Sequence, residues 1–274
     1  MENKTVSIVI RTIAGRKDLL NRAIASINSN DYPSKEIIIV YQGIDHKYFT
    51  EIKCLEFLYP DIKFKFFQNP TEKDERSKNA NIGLSIAKGR YIGFLDDDDI
   101  LLSNHISNLV KSLENLDNAW AYSQTARGVE KNGNLFAKDN FFFHTSFSLE
   151  KLWKGNYISM ISFLIDTERV IDKSIIRFEE NLTYGEDYIF ILKLAMNYNP
   201  YCHPEITNIC STFTELNEHK IKNIIKSNRK IRHIKSIMLS ESRVSFWMKE
   251  LIKRINEDYR FLKDKIRRRK YYEA

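Results

Sequence analysis

An α/β fold, built on a largely parallel sheet with helices on both faces, is predicted by three observations. Strand-like and helix-like segments alternate four times in the first hundred residues, the strand-like segments are apolar on both faces, and the fourth runs straight into four carboxylates. Continuously apolar strands are buried on two sides, and parallel neighbours need right-handed crossovers, which helices supply. The first unit is Val6-Ser7-Ile8-Val9-Ile10 followed by a helix over Arg16 to Asn28, with Leu19, Leu20, Ala23, Ile24 and Ile27 at helical spacing. After Pro33, the β-branched run Glu36 to Tyr41 reads as a second strand, and Lys47 to Leu58 as its helix. Pro60 breaks that helix before a third strand at Ile62 to Phe67, and Ser77 to Ala87 leads into the fourth, Tyr91 to Leu95.

Beyond Asp99 the pattern is less regular. Ala119 to Gln124 and Tyr157 to Asp166 read as strands, and Asn132-Gly133 carries the two-residue hairpin signal. Asn140 to His144 is an aromatic stretch of undecided exposure. Glu186 to Met196 reads as a buried helix, with Tyr188, Ile191, Leu192 and Ala195 on one face. From about Leu216 onward the composition is helical, and Ile224, Ile225, Ile231, Ile234, Ile237 and Met238 form an apolar stripe between cations.

Composition narrows the classes. A chain of 274 residues with 43% hydrophobic content has material for a sizeable core. Its net charge of +7 is unevenly spread: Lys220 to Ala274 holds 18 Lys and Arg against 6 Asp and Glu, leaving 25 against 30 before it. Cys54, Cys202 and Cys210 are odd in number and lack CxxC spacing, which argues against a disulfide framework or a zinc site and fits a reducing compartment. With no signal-peptide pattern and no run of about 18 apolar residues, the expected location is cytoplasmic, or peripheral at the inner face of the membrane.

The chemistry gathers at Asp96-Asp97-Asp98-Asp99. Two unit charges about 4 Å apart repel by roughly 4 kcal/mol at the effective dielectric of a protein surface, so such a run wants a cation. Oxygen-only donors suit Mn2+ or Mg2+, and magnesium is commonly held by one or two carboxylates plus substrate phosphates. The run also stands where open α/β sheets place ligands, at the carboxyl end of a strand. A solvated acidic loop is the plain alternative. The first turn, Arg11 to Arg16, has neither GxGxxG nor a Walker lysine, which argues against dinucleotide or P-loop ATP binding.

Taken together, these segments resemble an inverting family 2 glycosyltransferase of the GT-A fold over roughly residues 5–200. The resemblance rests on Val6 to Thr12 as the opening strand and loop, and on Glu36 to Gly43 as the second strand. Arg76, Asn81, Gly83, Ala87, Gly89, Tyr91-Ile92, Phe94-Leu95 and Asp96 to Asp99 supply the longest match, and Gly185-Glu186-Asp187 a later one. It implies a Rossmann-like mixed sheet flanked by helices over residues 1–215, divided into a nucleotide-binding half (1–100) and an acceptor half (101–215). A basic helical extension would follow over 216–274.

Residue by residue, the resemblance implies that Asp96 and Asp98 bind the metal, that Asp97 lies near the ribose or diphosphate, and that Arg11, Thr12 and Arg76 approach the nucleotide. It implies Asp187 as catalytic base, beside Glu186. At the first turn of a helix the dipole favours its carboxylate form by about 0.3–1 kcal/mol. Where the family usually closes the second strand with two acids, this chain has Tyr41 and Gln42. A glutamine carbonyl can accept a pyrimidine N–H, so a UDP-sugar is the expected donor. The expected acceptor is a glycan or lipid-linked glycan in surface polysaccharide synthesis.

Other readings stay open at this stage. A nucleotidyltransferase also pairs carboxylates with an α/β nucleotide-binding half, and an inactive nucleotide- or glycan-binding module would explain Tyr41 and Gln42. His144, His203 and His219 are set aside as metal ligands, and Trp153 and Tyr157 stand between stacking on a sugar and packing in the core. The basic segment, with Lys265 to Tyr272 at its end, reads as an anionic-membrane contact, a helix for homo-oligomer formation, or a solvated helix. No recognition motif supports nucleic acid as a partner.

Overall fold

The computed structural model describes residues 4–141, 146–211 and 218–241. The four expected crossover units are present: β1 (Val6–Ile13), α1 (Lys17–Asn28), β2 (Lys35–Gln42), α2 (His46–Lys53), β3 (Lys63–Asn69), α3 (Arg76–Ile86) and β4 (Tyr91–Asp96). β1 pairs in parallel with β2 and β4, and β2 with β3. Side chains on a strand alternate between faces, and both sets are apolar. Ile8, Ile10, Ile37 and Ile39 pack on α1 through Leu20, Ala23, Ile24 and Ile27. Val9, Ile38 and Val40 belong to the core of the opposite face, with Ala80 of α3.

After β4 come a two-residue strand β5 (Ile100–Leu101), α4 (His105–Asn115), β6 (Trp120–Lys131), β7 (Asn134–Phe141), α5 (Leu149–Lys154), β8 (Phe163–Asp166), α6 (Glu186–Asn197), β9 (Tyr201–Ser211) and α7 (Glu218–Glu241). These strands extend the sheet in the order β3-β2-β1-β4-β8-β6-β9-β5, with β7 paired to β6. β8 runs antiparallel to both β4 and β6, so the sheet is mixed. The hairpin turns at Asn132-Gly133, both with positive φ, as a two-residue turn between right-twisted strands requires.

Some expectations change. Of the expected strand Tyr157 to Asp166 only the last four residues pair, because Met160–Ser162 coil into a 3-10 turn. Residues 142–145 of the aromatic stretch, His144 among them, lie outside the described residues. The basic segment is helical over Glu218–Glu241, and its remainder, Lys265 to Tyr272 included, lies outside them too.

The junction between the parallel strands and β8 is fixed by charge. Asp166, opposite Tyr91 in the β4–β8 register, is fully buried and accepts from Arg90 Nε at 3.1 Å and Nη2 at 2.8 Å. Arg169 Nε lies 3.4 Å from the same carboxylate, so removing Arg90 leaves Asp166 one weaker cation, at about 3 kcal/mol, the lower end of what breaking a buried pair costs. Arg90→Ala is therefore expected to lower the unfolding free energy by about that amount, read as a fall in the urea midpoint with unchanged slope.

Candidate active site

The register of the parallel strands brings the predicted site residues to one edge of the sheet. Arg11 of β1 lies beside Asp96 of β4, and Ile13 beside Gln42 of β2. Their carboxyl ends open on a cavity of about 440 Å3 lined by Arg11, Thr12, Arg16, Gln42, Arg76 and the first three aspartates of the run. Asp96 to Asp99 form a β-turn closed by the Asp99 amide donating to the Asp96 carbonyl at 3.1 Å. Such a turn points consecutive side chains in different directions.

The four carboxylates consequently have separate fates. The Asp96 side chain is two-fifths exposed and accepts from Arg11 Nη2 at 2.9 Å. Asp97 is nearly buried, accepts from Thr12 Oγ1 at 2.7 Å and pairs with Arg16 at 3.1 Å, and burial pushes its carboxyl up to about 6. Asp98 pairs with Arg16 Nη2 at 2.7 Å, and its backbone carbonyl accepts from Arg22 Nη2 at 2.9 Å. Burial raises it as well. Asp99 turns inward to accept the Ser211 amide at 2.6 Å, and burial beside Asp96 and Asp98 holds it well above the usual carboxylate range. Asp99, the one acid of the run to which the resemblance assigned no role, serves the turn.

Glu186 and Asp187 stand at the first turn of α6 and do not line that cavity. Glu186 is buried and joined to it through Arg11, whose Nη1 lies 3.3 Å from Glu186 Oε1 while Nη2 holds Asp96. Arg11 remains a cation because the two carboxylates outweigh the burial that opposes its charge. The half-buried Asp187 accepts from Asn156 Nδ2 at 3.3 Å. Its burial and the neighbouring Glu186 raise its carboxyl to about 6, so desolvation outweighs the helix dipole anticipated from its position.

α7 packs directly behind this turn. Gly185 precedes α6 with φ 73°, and a Cβ there would stand 2.7 Å from Ile231 Cδ1 of α7. Ile231 packs with Leu182 and Ile189, and Lys235 Nζ donates to the Trp153 carbonyl at 2.6 Å while lying 4.5 Å from the Trp153 ring centre. Trp153 and Tyr157 belong to the core, which decides against their stacking on a sugar.

Arg76 opens α3 on the cavity rim, its guanidinium held by Asp74 at 3.0 and 2.6 Å. Tyr41 is fully buried against Phe49 and Tyr48, so only Gln42 of that pair faces the cavity. The Gln42 carbonyl accepts from the Glu75 amide at 3.1 Å and Asn79 Nδ2 at 2.7 Å. This corrects the expectation that the carbonyl is available to a base. His203 lies near Asn108 and Glu205, away from the acidic turn, and the His219 side chain is outside the description.

Sequence reasoning passed over Arg16, Arg22, Asp74, Asn79 and Asn156. Arg16 and Arg22 had a signal: they are the two arginines that follow β1, on the edge where the acidic run ends. A hard divalent cation fits what is present, since Asp96 and Asp98 offer oxygen-only donors to the cavity and phosphate oxygens and water can complete the shell. Among the described residues no three Asp, Glu, His or Cys side chains converge on one point, so two carboxylates would have to suffice.

Known proteins resemble this chain in sequence and in fold. The model for glycosyl transferase family 2 matches residues 7–179. A Campylobacter jejuni relative, GalNAc(5)-diNAcBac-PP-undecaprenol beta-1,3-glucosyltransferase, is 30% identical over 206 residues, covering 72% of this chain and 62% of that protein. This chain therefore spans less than two thirds of its length. Among solved structures, S. aureus TarS 1-349 in complex with UDP has a TM-score of 0.69 at 16% identity, over 90% of this chain and 69% of that one. The mannosyltransferase PcManGT from Pyrobaculum calidifontis, in complex with GDP-Man and Mn2+, has 0.62 at 14%, over 92% and 69%. At these identities the structural likeness concerns the GT-A fold.

The contact behind Gly185 is open to a direct test. Gly185→Ala combines a left-handed backbone, costing about 1–2 kcal/mol, with a clash against Ile231. The variant is expected to lose about 2 kcal/mol or more in urea unfolding. In a double-mutant cycle with Ile231→Ala, part of that loss should disappear, giving a coupling of about 0.5–3 kcal/mol.

Proposed function

This chain belongs to glycosyl transferase family 2, and on that premise we propose that it is a metal-dependent, inverting glycosyltransferase. It moves a sugar from a nucleoside diphosphate donor, a UDP-sugar first among them, to a hydroxyl of a lipid-linked glycan. One observation carries this reading: Asp96, Asp97 and Asp98 of the acidic turn line the cavity, and Arg11 joins that turn to the α6 turn holding Glu186 and Asp187. The lipid-linked acceptor is suggested by the name of the C. jejuni relative and by the basic character of residues 220–274. No helix among the described residues is long and apolar enough to cross a membrane.

In this reading Asp96 and Asp98 hold Mn2+ or Mg2+. The ion, when bound, supplies a Lewis acid that neutralises charge growing on the departing diphosphate. Thr12 and Arg16 fix Asp97 and keep the turn in shape. Arg76 and Arg11 bring positive charge to the donor end of the cavity. Asp187 removes the acceptor hydroxyl proton as the anomeric centre inverts in one displacement. Asn156, donating to Asp187 Oδ2, helps to orient the carboxylate toward the nucleophile.

A raised carboxyl makes a stronger base and still leaves most of it ionised at neutrality. A group titrating at about 6 is about nine-tenths carboxylate at pH 7 and about one-tenth at pH 5. The base is active when deprotonated, so transfer should fall as pH drops through about 6, seen in a kcat profile at saturating donor. Asp187→Asn should reduce transfer by about 10²-fold or more while UDP affinity stays within a few-fold. Turnover within a few-fold of the parent would remove Asp187 as base. Asp98→Ala should weaken Mn2+-dependent UDP binding in calorimetry, and unchanged binding would remove Asp98 as ligand. A thermal-shift screen of UDP-glucose, UDP-N-acetylglucosamine and GDP-mannose, with and without Mn2+, tests donor and ion together, because a ligand of the native state raises the melting temperature with its occupancy.

A further inference from the structure

Gln42 occupies the end of the cavity remote from the acidic turn. Two strand spacings separate β2 from β4, and Gln42 is two residues beyond the position level with Arg11, which puts it roughly 10–12 Å from Asp96. That is about the span from a diphosphate to the far edge of its nucleobase. Between them lies Ile13, an apolar side chain 47% exposed on the cavity lining and suited to the face of a flat ring. Gln42 is thus placed against a base edge.

The orientation of its amide is dictated by its neighbours. The Glu75 backbone amide can only donate, so the Gln42 atom 3.1 Å from it is the oxygen. The same polarity is imposed from the other end of a chain of amides. The Glu75 carboxylate can only accept; it takes Asn69 Nδ2 at 3.0 Å, and Asn69 Nδ2 also donates to Asn79 Oδ1 at 2.7 Å. Asn79 Nδ2 then donates to Gln42 Oε1 at 2.7 Å. Both lone pairs of the Gln42 oxygen are used, and Nε2 is left as the group presented to the cavity.

We infer that Gln42 is a specificity-determining residue that reads an exocyclic carbonyl on the base through its Nε2 donor. Uracil O4 or guanine O6 accepts that hydrogen bond; the exocyclic amines of cytosine and adenine oppose donor to donor. The cavity therefore selects keto bases over amino bases. This rests on the proposed use of a nucleoside diphosphate donor and sharpens it, and it differs from the sequence expectation, in which the glutamine oxygen would accept a ring N–H.

Gln42→Glu tests the sign, because a carboxylate keeps both accepted bonds and replaces only the presented donor with an acceptor. Affinities of UDP and CDP, two pyrimidine nucleotides that differ at ring position 4 and in protonation at N3, are measured by calorimetry with Mn2+ for the parent and the variant. Taking their ratio cancels any general repulsion between the new charge and the diphosphate. The parent is expected to favour UDP, and Gln42→Glu to lower the UDP to CDP preference by tenfold or more. Gln42→Ala, which removes the donor without adding an acceptor, should bring the two affinities together. A ratio that stays within twofold in Gln42→Glu, or moves further toward UDP, overturns the inference. Failure of the parent to bind UDP, CDP, GDP or ADP would instead overturn the donor reading on which it rests.

Discussion

Four carboxylates on adjacent residues at the mouth of a buried strand create a charge problem that organises everything around them. Each must be paired, hydrogen-bonded or neutralised, since unpaired charge near a protein interior costs several kcal/mol. The protein divides them: Arg11 takes Asp96, Arg16 takes Asp97 and Asp98, Thr12 adds a hydroxyl to Asp97, and the β9 backbone takes Asp99. Three of these partners come from β1 and the loop after it, so the acidic turn is legible only together with the first strand. The parallel pairing of β1 with β4 makes that meeting possible.

The parallel strands and the β6–β7 hairpin were readable from the chain because they obey simple rules. Apolar runs of five or six residues, each followed by helical spacing, left little choice but parallel strands with crossovers, and Asn132-Gly133 marked its hairpin without ambiguity. The remainder was harder for identifiable reasons. β9 contains Pro204 and alternating polar residues, and it is a strand because β6 supplies a parallel partner far away in sequence. β5 is two residues long and has no periodicity to detect. Tyr157 to Ser162 is as apolar as a strand but is spent on core packing through a 3-10 turn.

At the site, residue types were legible and their connections were not. The acidic run, Arg11, Thr12, Arg76 and the Glu186-Asp187 pair could be picked out one by one, yet no spacing rule says that Arg11 spans from Asp96 to Glu186, 175 positions beyond Arg11 itself. Gln42 shows the limit most clearly. Its identity was evident, but its hydrogen-bond polarity is set by Glu75, Asn69 and Asn79, which only the fold brings beside it.

Arg22 of α1 donates through Nη2 to the carbonyl of Asp98 and through Nη1 to that of Gly133, at 2.9 Å each. One guanidinium thereby staples a helix, the acidic turn and the tip of the β6–β7 hairpin into a single wall. Glu72 and Asp74 line the same cavity from the segment between β3 and α3, where Asp74 is held by Arg76. A displacement of the hairpin tip would be felt at the acidic turn through a single side chain, that of Arg22, with no direct backbone hydrogen bond between the two among the described residues.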